Sequence, residues 1–190
     1  MELDELKIEL KKYLKDDERR YVHSIGVMEM SEKLALKYGE DPERCKRAGL
    51  MHDMAKVMSN KDKLKYVEEN NIEVTETEKI VPGILHGKIA ADLCKKNYKF
   101  DDEMCSAIAY HTTGKPGMTM LEKIIYVADT VEENRNYRSV NYYRDLAFKD
   151  IDQALLEIIN FVISDNIKKD KVIIEKSIET RNFILINHSK

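Results

Sequence analysis

Five histidines are spread along the 190 residues, and four of them, His23, His52, His86 and His111, fall on different helical segments, while His188 sits in the tail. His52 is followed at once by Asp53, and Asp129 lies on the helix after His111. The chain can therefore bring four imidazoles and two carboxylates together from five helices, as helical bundles do when they build metal sites from inward-pointing side chains. The dipeptide His-Asp is weak evidence by itself: five His and 15 Asp in 190 positions supply about 0.4 such pairs by chance. Any one histidine alone reads more readily as a hydrogen-bonded core or surface residue. The set carries the weight. Neighbouring helical residues point about 100° apart, so a ligating His-Asp pair needs a helix end, or an ion lying across both side chains with the carboxylate reaching sideways.

The elements that must position these groups read as helices throughout. Leu3, Leu6, Leu10 and Leu14 recur at spacings of three and four. Asp16 or Asp17 can cap a second helix carrying Val22, Ile25, Leu34 and Tyr38 before Gly39 stops it. Asp41 and Pro42 are the cap and first-turn proline of a third helix, which runs through Cys45, Ala48, Leu50 and Met51 towards Val57. Ser59 with Asp62 and Thr75 with Glu78 mark further helix starts. Helices follow over about 84–95, 102–111 and 119–131, with the Lys115-Pro116-Gly117 segment as an irregular connection. Ala154, Leu155, Ile158, Ile159 and Val162, then Ile173, Ile174, Ile178 and Ile184, predict two long closing helices over about 150–168 and 171–187. The expected fold is all-α, a multi-helix bundle in one unit over 1–190, its metal core spanning about 18–135 and C-terminal helices over about 141–188 completing it.

Composition narrows the classes. Lys and Arg number 32 against 35 Asp and Glu, a formal charge of −3, which disfavours a protein that coats nucleic acid. Gly and Pro total only 10, against a turn-rich β protein. The first fifteen residues are charged throughout and lack the apolar stretch of an export signal. The longest apolar runs, such as 124–128 and 183–186, fall far short of a membrane span. Cys45, Cys94 and Cys105 are odd in number without CxxC spacing, so they read as buried apolar residues in a reducing cytoplasm. Met28, Met30, Met51 and Met54 read as core filler.

In their order, His23, His52-Asp53, His86, His111 and Asp129 resemble the HD-domain superfamily of metal-dependent phosphohydrolases. The strings RRYVHSIGV, AGLMHDMAK, LHGKIAADL, YHTTGKPGM and LEKIIYVADTVEENR are similar to its YqeK branch, whose members cleave diadenosine tetraphosphate symmetrically. The resemblance runs from about Arg20 to Arg135. It departs at Glu132-Glu133-Asn134-Arg135, where the family reads Glu-Pro-x-Arg, and at Ala90, where glycine is common. The resemblance implies that His23, His52, Asp53 and Asp129 hold one metal and His86 and His111 a second, with Asp53 bridging. Imidazole and carboxylate without thiolate suit iron, manganese, cobalt or zinc better than calcium or magnesium, and the family favours a pair of divalent or mixed-valence iron ions. Two such ions offset by two carboxylates leave a positive centre that attracts polyphosphate and acidifies a water to the attacking hydroxide.

Lys56, three residues after Asp53, sits near the same face if the helix persists, and the family makes it a phosphate contact and catalytic group beside Asp53 and Asp129. The same source assigns Arg20, His23, His86, His111, Thr112, Asp129 and Arg135 to the nucleotide. Thr112, Thr113 and Gly114 offer hydroxyl and backbone donors on a turn that also ends a helix. Arg135, Arg138 and Arg144 interleave with Tyr137, Tyr142 and Tyr143, a pattern that resembles a nucleotide clamp and equally suits an exposed loop. The expected partner is thus a dinucleoside polyphosphate, with ADP as product and no membrane or nucleic acid. The sequence leaves monomer and homodimer open. Competing readings are an HD phosphohydrolase for nucleoside mono- or triphosphates, a regulatory module that binds nucleotide without turnover, and a structural bundle with incidental histidines.

Overall fold

The computed structural model describes residues 2–15 and 17–188 and contains, among them, eleven α-helices and no β-strand. In chain order these are α1 (Leu3–Leu14), α2 (Glu18–Tyr38), α3 (Pro42–Met51), α4 (Asn60–Glu69), α5 (Glu76–Ile80), α6 (His86–Tyr98), α7 (Asp102–Tyr110), α8 (Met120–Val131), α9 (Val140–Lys149), α10 (Ile151–Lys168) and α11 (Glu175–His188), with a 3₁₀ turn at Pro82–Leu85. Local chemistry sets most starts. The side chains of Asp17, Asp41, Ser59, Asp101 and Asp150 accept backbone N–H groups of the first turns they precede. Thr75 with Glu78 and Thr119 with Glu122 form reciprocal capping boxes. Asp16 lies outside the described residues.

α8 is the spine. Leu121, Ile124, Ile125, Val127, Ala128 and Val131 are fully buried, because α2, α3, α7, α9 and α10 surround the helix. Each buried leucine, isoleucine or valine there contributes about 1.5–3 kcal/mol. α2 lies along α3, and α6 crosses α7 at a point where glycine is required: a Cβ on Gly87 would stand 2.9 Å from the Ala109 carbonyl oxygen. That close crossing carries His86 against His111. Met28, Met30, Met51, Met54 and the three free cysteines are buried in this core. No helix among the described residues is long and apolar enough to cross a membrane.

Several expectations are corrected. α3 stops at Met51 instead of running towards Val57, because the His52 ring takes the Gly49 carbonyl and the chain continues as turns closed by Met54 N–H to Met51 and Lys56 N–H to Asp53. The helix expected from residue 84 opens as the Pro82–Leu85 3₁₀ turn, and α6 begins only at His86. α9 precedes the two closing helices, and the last of these starts at Glu175, not 171. Val22, expected in the core, is 42% exposed and faces an open cavity. Ile178 is also exposed, while Ser177, Thr180 and Ile184 form the buried side of α11 and Ile174 is buried just before it.

Candidate metal centre

Three of the four histidines stand at helix ends. His52 follows α3 directly, His86 opens α6 and His111 follows α7. Carbonyls there lack a partner in the helical ladder, and each ring uses the one three residues back: Nδ1 donates to Gly49, Gly83 and Ile108 respectively, at 2.7 Å in every case. A carbonyl only accepts, so Nδ1 carries the proton and the neutral ring turns an Nε2 lone pair inwards. Ring centroids are 4.8 Å apart for His52 and His111 and 4.9 Å for His86 and His111. His23 reaches the group from the body of α2, its ring 5.3 Å from that of His52.

The carboxylates lie at the focus of these lone pairs. Asp53 Oδ1 is 3.0 Å from His86 Nε2, 3.6 Å from His111 Nε2 and 3.9 Å from His52 Nε2. Asp129 Oδ1 is 2.9 Å from His23 Nε2 and 3.8 Å from His52 Nε2. Acceptor faces acceptor across most of this space, and both His52 Nε2 and Asp53 Oδ1 are buried without a hydrogen bond. Buried acceptors that converge in this way are satisfied by a cation. Two sets of donor atoms each lie within 4.8 Å of one another: His23, His52 and Asp129, and His52, Asp53 and His111. His86 Nε2 stands 3.1 Å from His111 Nε2 and takes a hydrogen bond from Lys56 Nζ at 3.0 Å.

Protonation follows the environment. Burial pushes His52 and His86 down to about 4, which leaves both rings neutral and ligand-ready at pH 7. Burial also acts on His23, but its hydrogen bonds to Asp129 and Glu132 outweigh it and raise the ring to about 9. Burial opposes ionisation of Asp53 and Asp129, yet the surrounding imidazoles, with Arg135 near Asp129, hold both carboxyls well below the usual range. A divalent cation thus meets ionised carboxylates and competes with few protons.

Basic side chains edge the cluster. Arg20 Nη1 is 3.8 Å from Asp53 Oδ2, and Lys56 Nζ is 3.3 Å from Asp53 Oδ1. Lys56 arrives by the turn after α3 rather than on its face. Arg135 donates to the Asp129 carbonyl at 2.8 Å and to its Oδ1 at 2.6 Å. Two cavities with no lining residue in common each touch the cluster. The larger, about 760 Å³, is lined by Arg20, His23, Asp53, Lys56, Arg135 and Tyr137. The smaller, about 260 Å³, is lined by His111, Thr112, Asp129, Tyr126, Asn166 and Ser177. A third cavity, lined by Lys115 and Phe183, touches none of these groups.

The clamp pattern divides. Arg144 spends its guanidinium on the Val131 and Glu132 carbonyls, tying α9 to the end of α8. Tyr143 is buried, Tyr142 is exposed and bonds Glu157, and Tyr137 stacks on Phe161 at 5.8 Å beside the larger cavity. Sequence reasoning missed the role of Glu132, whose Oε1 accepts from His23 Nδ1 at 3.1 Å. It also missed Lys63, whose buried Nζ donates to the Lys56 carbonyl at 3.4 Å and braces that turn. The signals for Glu132 were its place three residues after Asp129 and its match to the Glu of the family's Glu-Pro-x-Arg string.

The chain is similar to known proteins. Residues 20–134 match the family model described as HD domain. A Bacillus subtilis (strain 168) protein named symmetrical bis(5'-nucleosyl)-tetraphosphatase is 34% identical over 169 residues, 88% of this chain and 90% of that protein. A Staphylococcus aureus (strain NCTC 8325 / PS 47) protein of the same name is 32% identical, covering 87% of each. A crystal structure from Clostridium acetobutylicum, described as a predicted HD superfamily hydrolase involved in NAD metabolism, superposes with a TM-score of 0.94 at 34% identity over 98% of both chains.

Proposed function

The chain belongs to the HD-domain family, and on that premise we propose that it hydrolyses dinucleoside tetraphosphates symmetrically, adding one water across the central anhydride of diadenosine tetraphosphate to give two ADP. The observation that carries this reading is the pair of cavities, with no lining residue in common, that each touch the His/Asp cluster. A substrate cut at its middle must extend away from the reacting phosphorus in two directions, and two cavities give each nucleoside half a place. The relatives named as symmetrical tetraphosphatases support the same substrate class.

The HD family implies divalent metal binding, and the donor set fits it. In our reading His23, His52, Asp53 and Asp129 hold one ion and His86 and His111 the other, Asp53 serving both. We take iron as the metal. When bound, such ions supply Lewis acidity, which lowers the pKa of water and offsets charge on the phosphate under attack. The protein's own groups bind and orient. Arg20, Lys56 and Arg135 present three cations to phosphate oxygens from the larger cavity, and Thr112 offers a hydroxyl from the smaller. We read the whole chain as one such unit, with the C-terminal helices walling the smaller cavity through Asn166 and Ser177, and place it in the cytoplasm on the strength of its three buried free thiols.

Product analysis tests this. Anaerobic protein loaded with ferrous iron should convert diadenosine tetraphosphate to ADP alone on chromatography. ATP plus AMP would sink symmetric cleavage, and binding without turnover would favour a regulatory module. A second expectation concerns Arg135, whose guanidinium bonds to charged groups worth about 1.5–3 kcal/mol. Arg135→Ala should raise KM about tenfold or more while metal content, read by elemental analysis, stays at the wild-type level. Loss of metal with unchanged KM would move Arg135 from substrate to ligand support.

A further inference from the structure

We propose that Glu132 is the positioning residue that fixes His23 as a metal ligand, and that Gly26 is glycine because that carboxylate needs the space. The inference rests on His23 being a ligand. Every other histidine of the cluster stands at a helix end, where a carbonyl three residues back is free to take its Nδ1 proton. His23 has no such carbonyl. It sits in the body of α2, whose ladder uses the carbonyls around it, so its Nδ1 needs an acceptor from elsewhere in the chain.

Glu132 supplies it from a distance of 109 residues in sequence. The side chain is 1% exposed and both oxygens are engaged. Oε1 accepts from His23 Nδ1 at 3.1 Å, and Oε2 accepts from the Asn134 backbone N–H at 2.6 Å and from its side-chain amide at 3.1 Å. The carboxylate is therefore locked before it meets the ring. Its second oxygen lies against bare backbone of α2, where a Cβ on Gly26 would stand 2.3 Å from Oε2 and 3.0 Å from Asn134 Nδ2. A larger residue at 26 requires the Glu132 carboxylate to shift from the position in which it meets His23. Two independent features thus converge: an acceptor that the helix cannot provide, and a notch that only glycine leaves. The end of α8 delivers both groups, Asp129 from its last turn and Glu132 from its C-cap, so one helix end sets ligand and orienter together.

A carboxylate on the far nitrogen holds ring orientation and strengthens the donor atom, and losing such a partner costs about 10–100-fold in metal affinity. The test is an anaerobic titration of metal-free protein with cobalt(II), followed by its d–d absorption and by calorimetry. Wild type should bind two ions. Glu132→Ala and Gly26→Ala should each weaken one of them about 10–100-fold and leave the other within about threefold. Glu132→Gln, which keeps an acceptor oxygen without the charge, should recover part of the loss. His23→Ala is the control and should remove the same site outright. If His23→Ala loses one site while Glu132→Ala, Glu132→Gln and Gly26→Ala keep both affinities, the proposal is overturned. If His23→Ala itself changes neither affinity, the ligand reading fails and takes the proposal with it. Should Glu132→Ala fail to fold by circular dichroism, the Gln and Gly26 variants decide.

Discussion

Asp53→Ala should lose most of its bound metal and lower kcat/KM for diadenosine tetraphosphate on the order of 10³-fold or more, the largest effect expected of any single substitution in this chain. The reason is positional. Asp53 Oδ1 lies within 3.9 Å of the inward nitrogens of three histidines, and it is buried without a hydrogen bond of its own. Removing it takes away a negative charge that every nearby cation shares, including Lys56 at 3.3 Å and Arg20 at 3.8 Å. Arg20 would then keep its closer contact to Asp17 and Lys56 its bond to His86 Nε2, each without the Asp53 charge beside it. Elemental analysis of the purified variant and chromatography of its products check the expectation on one sample. Asp53→Asn separates charge from shape, because it keeps one acceptor oxygen in place. If Asp53→Ala kept full metal content and activity, the central role given to this carboxylate would be wrong.

How much of this was legible in the sequence depends on how local each determinant is. Caps are local, and Asp17, Asp41, Ser59 and Thr75 begin helices where the sequence reading placed them. Local geometry left a ligating His-Asp pair two options, a helix end or an ion lying across both side chains, and α3 ends on Met51, one residue before the pair. The running-on of that helix to Val57 was misread because the breaking event is a side chain, the His52 ring capturing the Gly49 carbonyl, and apolar periodicity is blind to it. Val22 has the hydrophobicity of a core residue and the spacing of one. Its exposure follows from the larger cavity beside it, which no pattern along one helix can announce. Arg144 has the chemistry of a phosphate binder, and only tertiary structure shows it bound to the carbonyls that end α8. Glu132 is the most instructive case, since its partner lies on α2 and its room is made by Gly26 on that same helix. Nothing in the residues near position 132 encodes either.

Stripping the metal should lower the melting temperature of the protein by about 10–20 °C, the second large effect expected. A cation that binds the native cluster and not the unfolded chain stabilises by about 2.7 kcal/mol per site when it is present at a hundred times its dissociation constant. For a chain of 190 residues each kcal/mol moves the melting temperature by about 2–4 °C. Two sites therefore reach the stated range, and the sign is fixed, because only the fold brings residues as distant as His23 and Asp129 together. Part of the effect is relief within the native state: without a cation, His52 Nε2 and Asp53 Oδ1 remain buried and unpaired. Calorimetry before chelation, after chelation and after re-addition of ferrous or cobalt ion gives the three points needed. Calcium, which prefers all-oxygen shells, should restore little of the loss. Asp53→Ala should melt at nearly the same temperature with and without chelator, because it has little metal to lose. Equal melting of the wild-type protein in both conditions would mean that these six side chains hold no ion, and the hydrolytic reading would lose its chemical basis.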